Sequence, residues 1–402
     1  MSRVPLRRNR DFVLLQAGQL LSTFGSSMST IAYPLLALAI TGSAAKTGYV
    51  GAVEFAPLVL VSPLAGVAAD RYDRRRLMIA SDVAGAASVG SLAAAVFTGH
   101  ATFWLILVVA FLDSTAAVFF RSGNSGAFRA VVPQSQLADA ASVSMARMSA
   151  VRLAAPPAGG ALFGLSRGVP FLSDAISYAF STLSLLLMRA RFQDEREPGA
   201  RTHFREGLAY FWRIPFLRTT IGMVAVSNLA AAGAPIAVIV LAHRHGFTSA
   251  AIGGFVALQG LALLAGSAVS PLLRRTFPMR AILLSEFWSA VVFGAFLAFP
   301  NVYVLVVAAS LHAFWFPNTD SAMTAYSYML IPDRLLGRAM AASNVLRAAS
   351  APIGPLLAGL LLSHTSPRLT ILVLAAPVVV AAALGTLSPA IRDLPSLDAV
   401  PA

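Results

Sequence analysis

Apolar runs about twenty residues long, recurring from one end of the chain to the other, limit its possible folds more than any other feature. The hydrocarbon core of a bilayer is ~30 Å thick, and ~20 helical residues cross it. Such runs lie near 12–40, 48–69, 76–98, 102–127, 139–165 and 170–189, then 214–242, 250–273, 280–299, 301–330, 339–363 and 367–391. Inside lipid a backbone finds hydrogen-bond partners only within a helix or a closed barrel, so runs of this length predict helices. Charged residues make up 12% of the chain and hydrophobic ones 57%, whereas soluble domains carry about 25% charged residues. The expected fold is all-α and integral to the membrane, with twelve transmembrane helices.

The long polar stretch 190–213 divides these runs into two sets of six. The expected organisation is an N-terminal six-helix bundle over 1–189, a connector over 190–213 and a C-terminal six-helix bundle over 214–402. The later part of the connector is amphipathic and suited to lie along the membrane surface. The net charge of +13 comes from arginines between the apolar runs, a sign of topology rather than of nucleic-acid binding. Arg3, Arg7, Arg8 and Arg10, Arg71 with Arg74 to Arg76, Arg129, the connector arginines, Arg274, Arg275, Arg280, Arg334, Arg338 and Arg392 fall on one side. The other side holds only Lys46, Arg167, Arg244 and Arg368. The positive-inside rule puts the rich side, both termini and the connector in the cytoplasm. The apolar run from Phe12 to Ile40 is too long for a signal peptide and reads as a retained first helix. With no cysteine there is no disulfide, thiolate metal site or cysteine nucleophile.

The two halves repeat. A shift of 199 residues carries Val132 and Pro133 onto Ile331 and Pro332, and Leu137 onto Leu336. The same shift carries Ala155, Pro156, Gly159 and Gly160 onto Gly354, Pro355, Ala358 and Gly359. Pseudo-symmetric halves are a common plan of secondary transporters, which bind cargo between the repeats near the midplane.

Between the second and third runs stand Gly66, Asp70, Arg71, Asp73, Arg74, Arg75 and Arg76. The glycine permits close helix approach, and the charges suit a latch against a neighbouring helix end. This spacing resembles the loop signature of the major facilitator superfamily, which implies a conformational latch at Gly66, Asp70, Arg71, Arg74 and Arg75. In the fifth run Pro156, Gly159 and Gly160 resemble the proline–glycine motif of that superfamily's antiporters. Four further stretches are similar to its macrolide-efflux and enterobactin-exporter branch. They are Arg8 to Gln19 (with Asn9 and Asp11), Phe171 to Tyr178 (with Asp174 and Ser177), Glu206 to Arg218, and Val132 to Leu137. The resemblance implies a major facilitator fold in a bacterial inner membrane. It implies proton-driven efflux of drug, antibiotic or siderophore-type molecules, as in multidrug resistance, with uptake or a non-transporting sensor as the alternatives.

Charge inside lipid costs ~2.5–3.5 kcal/mol on insertion scales, so each intramembrane ionisable group is a site candidate. Glu54, Asp113 and Asp320 are the candidate proton carriers. Arg121, Asn228, Glu286, Trp315 and Asn318 are the candidate cavity residues, the aromatic and amide groups suiting bulky amphipathic cargo. At the repeat offset Arg121 overlies Asp320, which allows either a pair across the cavity or a separate pair inside each half. Asp82 and Asp174 read as helix-end carboxylates satisfied by water or a neighbour. Gly42 to Thr47 lacks the second glycine of a phosphate-binding loop. His243 and His245 read as a surface pair, and no nucleophile stands with a base. The expected partners are a small molecule, protons and the bilayer, with no metal or cofactor, no nucleic acid, no enzymatic activity and a monomeric state.

Overall fold

The structure, a computed structural model, describes residues 5–190, 192 and 204–393. Arg3, Arg191, Arg196, Arg201 and the rest of the connector between 193 and 203 lie outside the described residues. Every element in the described part is helical.

The first helix, α1 (Arg10–Thr41), starts at Asn9, whose side chain accepts from the Phe12 amide, and stops at Gly42 in the left-handed conformation (φ 63°). The second run is not one helix but two, α2 (Ala44–Leu60) and α3 (Ser62–Arg71), bent by 46° at Val61. Pro63 lacks the amide that would continue the ladder, and the Ser62 hydroxyl donates instead to the Leu58 carbonyl. Then come α4 (Arg74–Phe97), α5 (Phe103–Val131), α6 (Leu137–Leu165) and α7 (Val169–Leu187).

Past the connector are the short α8 (Phe204–Arg213), α9 (Pro215–Arg244) and α10 (Ser249–Thr276). The ninth run is broken into α11 (Met279–Ser289), a 3-10 turn and α12 (Gly294–Ala298). It is followed by α13 (Val302–Leu330), α14 (Asp333–Ala348), α15 (Ile353–His364), α16 (Pro367–Leu387) and α17 (Pro389–Arg392).

Among the described residues ten helices are long and apolar enough to cross a membrane, and the bent pair α2 and α3 makes an eleventh span. The remaining long helix is α6, which carries Arg147, Arg152 and the Pro156–Pro157 pair and is the twelfth member of the set. Many of the most exposed side chains are apolar, with Leu165 at 81%, Leu387 at 74% and Trp104 at 73%. Only lipid makes such a surface favourable.

The repeat extends to helix boundaries. Shifted by 199 residues, Phe103–Val131 becomes 302–330, the span of α13, and the end of α6 at Leu165 falls on the end of α15 at His364. Val132 and Ile331 terminate their helices with nearly equal backbone angles (φ −105°, ψ 123° and φ −107°, ψ 120°).

Two compact units are present: Met1–Gly199 with Gly246–Ala257, and Ala200–His245 with Leu258–Ala402. The start of α10 therefore belongs to the first unit, although its sequence position places it in the second half. Backbone contact explains this: Gly253 lies against the Pro156 carbonyl of α6, and Gly160 of α6 lies against the Ser249 carbonyl.

Candidate functional site

At the arginine-rich end of the first unit, polar groups tie helix ends together. Asp11 accepts from the amides of Arg189 (3.0 Å) and Ala190 (2.9 Å), just past α7. Asn9 donates to the Val131 carbonyl at the end of α5 (2.9 Å). Arg75 donates to the Leu186 carbonyl in the last turn of α7 (2.8 Å), a cation at the negative end of a helix dipole. Asp73 caps α4 by accepting from the Arg76 amide (2.8 Å). The Arg74 guanidinium lies over Gly126 of α5, in space that a Cβ there would fill. Asp70 is exposed at the end of α3. The close helix approach expected at Gly66 is not seen, because nothing stands within 4 Å of where its Cβ would be. Pro63 bends α3 away from the line of α2, and Gly66 lies beyond that bend.

The α6 motif is a packing face. A Cβ on Gly159 would meet the Met28 backbone of α1 at 2.9 Å, and Gly160 serves the α10 contact. Its repeat in the second unit behaves alike, with Gly354 against the Leu229 carbonyl of α9.

Deeper in the first unit lies a buried polar chain. Asp113 on α5 (6% exposed) accepts from Tyr178 of α7 (2.7 Å) and Tyr33 of α1 (3.1 Å). The Ser26 hydroxyl stands 3.1 Å from both the Tyr178 oxygen and Asp174 Oδ1. Ser177 also reaches Asp174 Oδ1 (3.3 Å). Thus two carboxylates on α5 and α7 are joined through exchangeable hydroxyl protons. Gly25 makes room for this, since a Cβ there would strike Ser177 and Asp174. Glu54 on α2, partly buried, is close enough to Asp113 to interact with it electrostatically.

Asp174 was expected near a helix end with a satisfied carboxylate. It does lie in the early turns of α7, but it is fully buried inside the chain with Asp113. Asp82 departs further from that expectation. It sits well inside α4, 1% exposed, with no hydrogen bond to either carboxylate oxygen. Its distance from the apparent ends of the third run misled, because α4 packs this turn against α7 rather than against water.

In the second unit Asp320 pairs with Arg347 of α14, so its partner comes from its own half. Arg121 is exposed on α5. Asn228 donates to the Arg347 carbonyl (2.7 Å) and is partly exposed. Trp315 is partly exposed, its ring edge-on to Phe314 at 5.3 Å. Two cavity candidates are instead buried. Asn318 is fully enclosed where Gly266 of α10 meets the Phe314 carbonyl, and it donates to that carbonyl (3.2 Å). Glu286 is 3% exposed and accepts from Ser227 of α9. The helix-period pattern of α13 and α11 did not reveal which face each presents.

A multi-pass helical membrane protein with duplicated halves and a buried carboxylate network has the make-up of a carrier. The chain belongs to the transmembrane secretion effector family, whose profile matches residues 2–402. It is 28% identical over 417 aligned residues to the multidrug efflux pump Tap of Mycobacterium tuberculosis, covering 96% of this chain and 95% of that protein. It is 24% identical over 203 residues to macrolide efflux protein A of Streptococcus pyogenes, covering 49% of this chain and 50% of the relative. Solved structures share the fold. The nucleoside transporter NupG has a TM-score of 0.73 at 12% identity, covering 96% of this chain and 100% of that one. A bacterial homologue of the iron transporter ferroportin has a TM-score of 0.71 at 17% identity, covering 96% and 99%. The protein is a membrane transporter of the major facilitator type and not an enzyme.

Proposed function

We propose that this transporter exports small amphipathic molecules of drug, antibiotic or siderophore type in exchange for protons, by alternating access. The direction rests on the relatives, which include a multidrug efflux pump similar over nearly the whole chain. The coupling rests on one observation, the buried chain Asp113–Tyr178–Ser26–Asp174. A carboxylate inside a bilayer is costly and is retained where it works. Hydroxyl groups bridging two carboxylates let a proton arriving at one be relayed to the other, each oxygen passing on its own hydrogen as it accepts the next. Asp113 is the proposed carrier, with Asp174 its relay partner and Glu54 a third acid within electrostatic reach.

Asp320 is a weaker carrier in this reading, since Arg347 already balances its charge. Arg121, Asn228 and Trp315 keep accessible surface and stand as cargo-contact candidates. The arginine-rich end, with the tie of Arg75 to α7, faces the cytoplasm of a bacterial cell in this reading, and the protein works as a monomer in the inner membrane.

Accumulation of macrolides, siderophores and dyes in efflux-deficient cells tests the reading, with and without the protein and a protonophore. Lower accumulation that the protonophore reverses supports it. Equal accumulation with well-expressed protein refutes export of these classes, and accumulation raised by the protein points to uptake.

A further inference from the structure

The second unit contains a buried ionisable cluster separate from the chain around Asp113. Glu286 on α11 is 3% exposed, His312 on α13 is 6% exposed, and Ser227 on α9 is 1% exposed. Ser227 donates to Glu286 Oε1, and its oxygen stands 3.5 Å from His312 Nε2. On the other side of the ring, His312 Nδ1 lies 2.9 Å from the Ser289 hydroxyl, which donates to the Glu286 main-chain carbonyl. Phe293 covers the ring edge-on at 5.9 Å. Glu286, Ser289 and Phe293 follow a three-and-four spacing, so one face of the ninth run supplies three of the groups.

The donor count is informative. Both hydroxyl protons are directed to Glu286, one to its side chain and one to its carbonyl. Each therefore turns oxygen lone pairs toward an imidazole nitrogen. A ring with lone pairs on both sides is satisfied when both nitrogens carry hydrogen, and Glu286 is then its counter-ion. The alternative has the same number of protons: His312 Nε2 passes its proton to Ser227 Oγ while Ser227 passes its own to Glu286 Oε1. Imidazolium and carboxylate become imidazole and carboxylic acid, and the net charge is unchanged.

We propose that Glu286 and His312, bridged by Ser227, form a second proton-binding site that holds one exchangeable proton inside the second unit. The other ionisable groups are placed to respond to its loss. Asp320 of α13 and Arg347 of α14 act on Glu286 electrostatically. They are paired with each other, and the Arg347 carbonyl is held by Asn228, the neighbour of Ser227. When the proton leaves, the cluster gains a negative charge and competes with Asp320 for Arg347. On α9 and α11 the other charged groups, Arg218, Arg244 and Arg280, lie in end turns, as does Arg368 of α16.

This inference is separate from the export reading, because its test needs no cargo and no gradient. The full-length protein in liposomes is titrated from mildly alkaline to mildly acidic pH, and infrared difference spectra follow the carbonyl stretch of protonated carboxyls. One titrating component is expected to disappear in Glu286→Gln. His312→Gln and Ser227→Ala are expected to keep that component and shift its midpoint by about one pH unit or more, as coupled groups do. Superposable spectra for wild type and Glu286→Gln would overturn the site. An unmoved midpoint in both other variants would overturn the sharing. Size-exclusion profiles matching wild type identify the folded variants, and Ser227→Ala, which removes a single oxygen, decides the matter if His312→Gln does not fold.

Discussion

Replacing Gly160 by alanine is expected to separate two helices that now meet backbone to backbone. The new Cβ would collide with the Ser249 carbonyl oxygen and stand 3.0 Å from its carbon and 3.2 Å from Gly253 Cα. None of these atoms belongs to a side chain that could turn aside, so α6 and the start of α10 must part. Overpacking costs ~1–3 kcal/mol, and a backbone obstacle places this case in the upper half of that range. Alanine in a helix interior recovers ~1 kcal/mol relative to glycine. The net expectation is a loss of ~1–2 kcal/mol. Gly164, one turn further along α6, has nothing within 4 Å of its Cβ position. Gly164→Ala should therefore show only the gain of ~1 kcal/mol. Each kcal/mol is worth about 2–4 °C in a unit of 150–250 residues. Thermal unfolding of the two purified variants in detergent, followed by intrinsic fluorescence, should place them on opposite sides of wild type. Equal midpoints, or Gly160→Ala at or above wild type, would refute the packing argument.

Tyr178→Phe removes the hydroxyl between Asp113 and Ser26 and should cost about 1.5–3 kcal/mol if Asp113 is ionised, measured as a lower melting midpoint; a change within error argues that this bond carries no charge. Asp73→Ala strips the cap of α4 and should cost about 0.5–2 kcal/mol in the same assay. Gly66→Ala should leave the melting midpoint at or slightly above wild type, because open space surrounds that position; a fall would mean that an unseen neighbour packs there.

Much of the fold was legible because lipid imposes a simple rule, ~20 apolar residues per crossing. The repeat was legible for another reason: Val132–Pro133 and Ile331–Pro332 end matching helices, and proline marks such ends in sequence. The break at Val61 was also within reach, since Pro57 and Pro63 flank it. The site was less accessible. Asp113 and Asp174 are 61 residues apart, and only tertiary packing shows that Ser26 and Tyr178 lie between them. His312 drew no notice in the sequence, because a lone histidine in an apolar helix carries no signal until Ser227 and Ser289 are seen beside it. Asn318 was misjudged for the same reason. An amide beside aromatics fits a pocket wall, yet here it seals a helix contact.

The central claim is that Asp113 couples outward transport to proton movement. The most direct measurement follows ethidium and a macrolide in proteoliposomes with an imposed pH gradient, comparing wild type with Asp113→Asn at equal protein content. The account predicts gradient-driven transport by wild type, abolished by a protonophore, and none driven by the gradient in the variant. Transport that ignores the gradient, or that persists undiminished in Asp113→Asn, would contradict it.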